Sequence, residues 1–302
     1  MTESAYLQRA CPSCGSLRHD HEVASGRRAE NLPIDELRPF WSGFFKEKVF
    51  FSYHRCADCG LLFAPTFFSD EQLDSLYAAM APNMDVVTSD AIVATQRGYY
   101  EVAARAGVDG GYLEIGPDVG HIVEQAANTE RFDHFWLFEP NRAVHAPLAQ
   151  ATQGRPCSIS TAMTDLSAVP DGSVGLAVMI HVLDHLVEPV PMLAQIKRKL
   201  KPGGALVTVT HNERSLLRHV MGNRWPPFCL QHPEVYSPAS IAGVMRRAGF
   251  AAVRVERSRN YFPVDFLVRQ VAWAVGLDLS RARLPTTRIG LRLGNIMTVA
   301  RP

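Results

Sequence analysis

Short apolar segments alternate with amphipathic ones from residue 111 to residue 258, and this alternation constrains the fold more than any other feature. The apolar segments have the length of strands, and the segments between them have the periodicity of helices. The strand segments read YLEIG, HFWLFE, VGLAVMI, ALVTVT and AAVRVERS. Alternating strands and helices form a parallel sheet that helices cover on both faces. The sequence therefore predicts an α/β fold with a ligand site at the carboxyl ends of its strands.

The residues that follow these strands have the pattern of a nucleoside-binding site. In EIGPDVG, Gly116 lets the backbone turn sharply off the first strand, and Gly120 lets the next helix begin close to a ligand. Glu139 closes HFWLFE, where an acid can bind both hydroxyls of a ribose. Asp165 stands in the loop before VGLAVMI. The dinucleotide motif G-x-G-x-x-G is incomplete, so a dinucleotide dehydrogenase is the weaker interpretation.

Two further motifs extend the series, HVLDHLVEP at 181–189 and LKPGG at 200–204. In identity, order and spacing the series resembles the class I S-adenosylmethionine-dependent methyltransferases. The resemblance covers roughly residues 111–258, and LGNIMTVAR at 293–301 is similar to the final antiparallel strand of that family. It implies a Rossmann-like sheet of seven strands and S-adenosylmethionine as the methyl donor.

The resemblance also implies roles for individual residues. Glu139 is expected to bind the ribose hydroxyls, and Asp165 is expected near the adenine. Asp118 stands where the family usually has glycine, and its carboxylate is expected near the ammonium group of the cofactor. The other residues expected to line the cofactor are Glu114, Gly116, Gly120 and His181.

Three histidines are candidates for the chemistry, because a hydroxyl or carbon acceptor needs a base besides correct positioning. His232 precedes the helix cap Ser237 by five residues, as a histidine does in related glycan and metabolite methyltransferases, and it is the leading candidate. His181 and His185 are four residues apart, so a helical turn would place them on one face. A similar segment holds a divalent metal in ubiquinone-pathway O-methyltransferases, which makes a metal at His181, Asp184 and His185 an alternative to a bracing role for His185.

Four of the six cysteines form two identical C-x-x-C-G motifs. Each motif is a tight turn that directs two sulfurs to one point, and the glycine lets the backbone curl round a metal. Four thiolates make a closed tetrahedral site, so the predicted zinc is structural. The predicted ligands are Cys11, Cys14, Cys56 and Cys59.

These motifs divide the chain into three predicted parts. Residues 1–69 are a zinc ribbon, residues 70–110 are a helical bridge with a helix capped by Ser69, and residues 111–302 are the methyltransferase domain. An apolar helix inserted near 261–292 is expected to form a lid or a dimer face. The ribbon resembles that of bacterial methyltransferases that act on sugars and natural products.

Composition limits the partners. The formal net charge is only +1 and no apolar run approaches the ~18 residues of a membrane span, so no membrane partner is expected and the expected location is the cytoplasm. An arginine-rich end suits an anionic acceptor, because arginine binds phosphate and carboxylate with two prongs. Its members are Arg254, Arg257, Arg259, Arg281, Arg283, Arg288 and Arg292.

Methylation of a small polar acceptor, such as a sugar or a natural-product intermediate, is the favoured function. The first alternative is an RNA methyltransferase that holds RNA with the ribbon, although residues 1–69 carry equal numbers of basic and acidic side chains where a basic face is expected. The second alternative is a zinc scaffold without catalysis. Homodimerisation remains an open possibility through the inserted helix.

Overall fold

The computed structural model describes residues 6–41, 47–78, 89–274, 282 and 284–302. The strands are β1 (Leu7–Gln8), β2 (His19–Val23), β3 (Arg27–Arg28), β4 (Val49–Phe50), β5 (Tyr53–Cys56), β6 (Leu62–Phe63), β7 (Thr66–Phe67), β8 (Gly110–Ile115), β9 (Phe132–Phe138), β10 (Cys157–Ser160), β11 (Val174–Ile180), β12 (Leu200–His211), β13 (Glu234–Val235), β14 (Ala252–Arg257), β15 (Asn260–Pro263), β16 (Arg288–Leu291) and β17 (Asn295–Arg301). The α-helices are α1 (Ile34–Leu37), α2 (Asp70–Ala78), α3 (Ser89–Ala106), α4 (His121–Ala127), α5 (His145–Ala151), α6 (Pro189–Lys199), α7 (Leu216–Met221), α8 (Pro238–Arg247) and α9 (Val264–Ala274).

Seven strands form the central sheet in the order β10-β9-β8-β11-β12-β17-β14. The first five pair in parallel, and β17 is antiparallel to both of its neighbours. The chain first extends the sheet from β8 outward to β10 and then returns to the other side of β8 with β11. This reversal puts the switch point between β8 and β11, where ligands of such sheets bind. The predicted α/β fold with a mostly parallel sheet is confirmed.

Helices cover both faces of the sheet, as the apolar strand segments predict. On β8, Leu113 and Ile115 pack into one buried cluster with residues of α6 and α8, while Tyr112 packs into a second cluster with residues of α3 and α4. Successive residues of a strand point to opposite faces, so a strand that is buried on both sides is apolar throughout.

A smaller antiparallel sheet with the order β13-β6-β5-β2 stands beside the central one. Three of its strands come from the predicted ribbon, but β13 comes from residues 234–235, where it pairs with Leu62–Phe63. The N-terminal strands β2, β5 and β6 therefore share a sheet with the chain segment between β12 and α8.

The described part of the segment between the two sheets holds the helices α2 and α3. The backbone N–H of Ser69 donates to the side-chain oxygen of Gln72 at 2.9 Å, and the N–H of Gln72 donates weakly to Ser69 Oγ at 3.4 Å, directly before α2. These reciprocal bonds satisfy free donors at the start of the helix.

The inserted segment between β14 and β17 begins and ends with the antiparallel pair β15 and β16, with α9 between them. The N–H of Tyr261 donates to Thr95 Oγ1 on α3 at 2.8 Å, so the segment packs beside that helix. Arg281 and Arg283 lie outside the described residues. Among the helices that the structure describes, none combines the length and the apolar composition that a membrane crossing requires.

Candidate active site

The turn after β8 is built for close approach. Gly116 has a φ of +68°, and a Cβ on it would lie 2.5 Å from Val182 Cγ2. Gly120 has a φ of +86°, and a Cβ there would lie 2.8 Å from the Cβ of Ala151. A side chain at either position would clash and strain the backbone. The turn therefore carries no side chain at these two positions of the switch point. Val182, in the segment after β11, packs against Gly116.

Asp118 has the conformation that glycine normally supplies. Its φ is +52°, in the left-handed region that aspartate tolerates better than most residues. Its backbone N–H donates to Glu139 Oε2 at 3.0 Å, and the N–H of Asn141 donates to Glu139 Oε1 at 2.8 Å. Burial raises the pKa of the Glu139 carboxyl, and these two donors oppose that effect. Each carboxylate oxygen keeps a lone pair for a ligand hydroxyl.

A cavity of about 450 Å³ is lined by residues that include two hydrogen-bond partners of the Glu139 backbone, His145 and Ser160. His145 is one of its lining residues, and Nε2 of His145 donates to the carbonyl of Glu139 at 2.8 Å. The other lining residues are Arg142, Ile159, Ser160 and Thr161. If Glu139 holds the ribose of the donor, the adenine would have this cavity beside it.

Glu114 and Asp165, two of the residues predicted to line the cofactor, already have hydrogen-bond partners within the protein. Glu114 is 3% exposed within β8, and the hydroxyl of Tyr112 donates to its Oε2 at 2.5 Å. Asp165 is exposed, and its Oδ1 accepts the backbone N–H of Ser167 at 2.9 Å. Glu114 therefore supports the turn from inside the sheet, and Asp165 caps its own loop in this conformation.

The predicted helical face of His181 and His185 is wrong. His181 has a φ of +53°, and the following residues form a short 3-10 helix, Leu183–His185. A left-handed residue before a tight turn separates the two rings. Both still lie near Asp184, each with a different second histidine: His181 with His211, and His185 with His232.

His232 is enclosed and only 6% of it is exposed. Its Nδ1 donates to the carbonyl of Pro227 at 2.7 Å, and its Nε2 lies 3.2 Å from Nε2 of His185. Burial lowers its pKa, but the neighbouring Cys229 and Asp184 outweigh burial and raise the pKa to about 9. Burial and the facing His232 lower the pKa of His185 to about 3. One hydrogen therefore occupies the contact between the two facing Nε2 atoms.

The small sheet contacts the backbone of His232. The hydroxyl of Tyr53 on β5 donates to the carbonyl of His232 at 2.6 Å. Trp225 and Phe228, from the same loop as His232, are at most 1% exposed and pack with Phe50 and Tyr53. Residues of β4 and β5 therefore enclose one side of the histidine cluster. This cluster comprises His181, Asp184, His185, His211 and His232.

The sequence did not single out His211, the last residue of β12. Its Nδ1 lies 2.6 Å from Oδ2 of Asp184, and its ring centroid is 4.7 Å from that of His181. Asp184 itself is fully buried. The signal was the histidine that ends the apolar run ALVTVT, at the strand end where ligands bind.

The four sulfurs of the C-x-x-C-G motifs lie together. Sγ of Cys11 is 3.5 Å from that of Cys59, Sγ of Cys14 is 3.6 Å from that of Cys56, and all four lie within 4.8 Å of one another. The N–H of Gly15 donates to Cys11, and the N–H of Gly60 donates likewise to Cys56. Ligands about 2.3 Å from a tetrahedral zinc lie about 3.8 Å apart, so this donor set fits that ion.

Two of the arginines are already engaged within the chain. Arg254 pairs with Glu256 at 2.9 Å on the exposed edge strand β14, and Arg288 donates to the carbonyl of Asp90 at 2.9 Å. An anionic ligand would have to compete with these contacts.

A family model described as a methyltransferase domain matches residues 88–255, more than half of the chain. No curated protein sequence matches the chain. Among solved structures, a possible histamine N-methyltransferase of Thermotoga maritima is 15% identical with a TM-score of 0.46, covering 70% of this chain and 90% of its own. A methyltransferase of Archaeoglobus fulgidus is 16% identical with a TM-score of 0.47, covering 71% and 95%. The match of the family model shows that this chain belongs to the methyltransferase domain family and is an S-adenosylmethionine-dependent methyltransferase.

Proposed function

We propose that the enzyme transfers a methyl group to a small polar acceptor, such as a sugar or a natural-product intermediate, held beside the histidine cluster. The observation that carries this proposal is the enclosure of that cluster. Asp184 and His232 are buried, and the wall around them comes from the small sheet and from α2, where the hydroxyl of Tyr77 lies 3.3 Å from Nδ1 of His185. A small molecule can approach side chains that are this enclosed more closely than a polynucleotide can.

The donor would lie along the carboxyl ends of β8 and β9. Glu139 would bind the ribose, Gly116 and Gly120 would leave room for the methionine part, and the half-buried carboxylate of Asp118 would face its ammonium group. Glu114 would support the turn from the core. Asp165 remains the proposed adenine contact, with the cavity at His145 as the neighbouring space. The bound donor would supply an electrophilic methyl group, and the protein would align the acceptor with it.

Zinc at the four cysteines would be structural, since four thiolates leave no open position. Its support is the proximity of the four sulfurs and the matching turns at Gly15 and Gly60. The metal would hold β5 and β6 in place, and through Tyr53 it would help to position His232.

Methyl-labelled S-adenosylmethionine tests this function when it is incubated with the protein and a panel of sugars, nucleotide-linked sugars and hydroxylated metabolites. The expected result is label in a small molecule, with an equal amount of S-adenosylhomocysteine. Total RNA in a parallel reaction covers the alternative. Label that appears in RNA alone would overturn the proposed function.

A further inference from the structure

His211 and Asp184 form a hydrogen-bonded pair within the histidine cluster. The distance between Nδ1 and Oδ2 is 2.6 Å, and the backbone N–H of His211 also approaches Oδ2, at 3.3 Å. A carboxylate oxygen accepts hydrogen bonds, so Nδ1 of His211 is the donor in this pair, and Nε2 is the ring nitrogen left for another partner.

Nε2 of His211 is the open acceptor of the cluster. Within the residues that the structure describes, it has no hydrogen-bond partner, and the side chain is 23% exposed. Both nitrogens of His232 are occupied, by Pro227 and by His185. Nε2 of His181 lies 3.3 Å from Nδ2 of Asn295, and its Nδ1 is buried. Among the described histidines of this cluster, His211 alone combines a ring oriented by Asp184 with an accessible ring nitrogen that has no partner.

The position of His211 suits a reaction at the donor. Ile180 of β11 pairs with Val209 of β12, so His181 and His211 stand at adjacent strand ends. Val182, the next residue after His181, touches the glycine turn. The rings of His181 and His232 flank His211, with centroids at 4.7 Å and 5.0 Å.

We propose that His211, oriented by Asp184, is the general base for a hydroxyl acceptor, so that the enzyme is an O-methyltransferase. This inference rests on the proposed function. The hydroxyl proton moves to Nε2 as the acceptor oxygen forms a bond to the methyl carbon. The bond between carbon and sulfur breaks with its electron pair on sulfur, which becomes a neutral thioether. The imidazolium then releases its proton to water, and Asp184 stabilises its charge in the interim.

A metal ion on the same residues is the competing interpretation, since His181, Asp184 and His211 lie close enough for one. Two ligands of one ion at about 2.1 Å lie about 3.0 to 3.4 Å apart in octahedral or tetrahedral geometry. The separation between His211 and Asp184 is 2.6 Å, which is that of a hydrogen bond. The geometry favours the base.

The variants His211→Asn and Asp184→Asn test the inference, with His219→Asn on the exposed side of α7 as the matched control. With the hydroxyl acceptor from the panel, kcat should fall about 10²- to 10⁴-fold in both variants and stay parental in the control. The dissociation constant of S-adenosylmethionine should not change. The loss in His211→Asn should shrink as pH rises and the acceptor ionises unaided. The charged groups that face His211, namely Asp184, His181 and His232, are intact in that variant.

A second readout needs no acceptor. Diethyl pyrocarbonate acylates unprotonated imidazole nitrogens, and peptide mass spectrometry locates the product. His211 should react faster than His232, whose two ring nitrogens are both engaged. Faster reaction at His232 would overturn the inference.

Four further outcomes are decisive. Parental turnover of His211→Asn at every pH, or acceptors that are exclusively amines, would overturn the base while the proposed function stands. A metal ion beyond that of the cysteines, present in the wild type and lost in His211→Asn, would do the same. Failure of every small acceptor would refute the proposed function itself, and the acylation pattern would still judge the pair.

Discussion

The guanidinium of Arg9 lies 2.7 Å from the carboxylate of Glu234, and the two side chains are 7% and 0% exposed. The same guanidinium donates to the carbonyls of Ala64, Val187 and Pro233 at 2.7 to 2.9 Å. Arg9 thereby connects the first strands of the ribbon with the segment after β11 and the loop of His232. The strands of the small N-terminal sheet and the loop of His232 therefore form one continuous structure around this side chain.

Arg9→Ala should lower the free energy of unfolding by about 3 to 5 kcal/mol, because it leaves a buried carboxylate without its partner. Urea unfolding measures this change. Arg18→Ala is the control, since Arg18 pairs with Asp58 on the surface, where solvent screens the pair and its loss should be small. Equal losses in the two variants would contradict the connecting role of Arg9.

Cys56→Ala combined with Cys59→Ala should abolish zinc binding, because two thiolates are too few to close a structural site. Elemental analysis of fresh wild-type protein should find one zinc per chain. Cys157→Ala, which changes an exposed cysteine of β10, should keep it. Wild-type protein without zinc, or a double variant that retains it, would refute the site.

Glu139→Ala should weaken S-adenosylmethionine binding about a hundredfold or more, because two hydrogen bonds to a charged acceptor contribute about 1.5 to 3 kcal/mol each. Isothermal titration calorimetry measures the dissociation constant. Asp133→Ala, at an exposed position of β9, the strand that Glu139 follows, is the matched control. An unchanged affinity in Glu139→Ala would mean that the donor binds elsewhere.

Glu114 should make the protein less stable as pH rises from about 4.5 to about 8. Burial raises its pKa to about 8, and the hydroxyl of Tyr112 opposes that shift. Over this range the native state keeps a proton that the unfolded chain releases, so stability falls by up to about 1.4 kcal/mol per pH unit.

Glu114→Gln should therefore reduce the pH dependence of urea unfolding, because an amide can still accept from Tyr112 without titrating. Glu124→Gln, at an exposed position of α4, should leave that dependence unchanged. The same slope in the wild type and in Glu114→Gln would contradict the buried proton.

The sequence predicted the features that depend on neighbouring residues. A few adjacent positions determine each of these features: the strands formed by the apolar runs, the glycine turn at Gly116 and the turns of the cysteine motifs. It did not predict the pairing of Glu234–Val235 with β6, because two residues without a periodic pattern carry no signal of a distant partner. The strand Cys157–Ser160 was missed for the same reason, since it is short, polar and at the sheet edge.

The pair of His211 and Asp184 shows the same limit within the site. The two residues are 27 positions apart, and they meet only because β11 and β12 are adjacent strands. The predicted helical face of His181 failed because local spacing assumes a regular helix, whereas the backbone adopts a left-handed residue followed by a 3-10 turn.

Methyl transfer to a small acceptor is the central claim, and mass spectrometry of the metabolite panel after incubation with S-adenosylmethionine tests it most directly. We expect one small hydroxylated compound to gain the mass of a methylene group while S-adenosylhomocysteine accumulates in equal amount. It also predicts that the product is absent with Glu139→Ala at limiting donor. A panel without any methylated product, together with methyl label in RNA, would contradict the account.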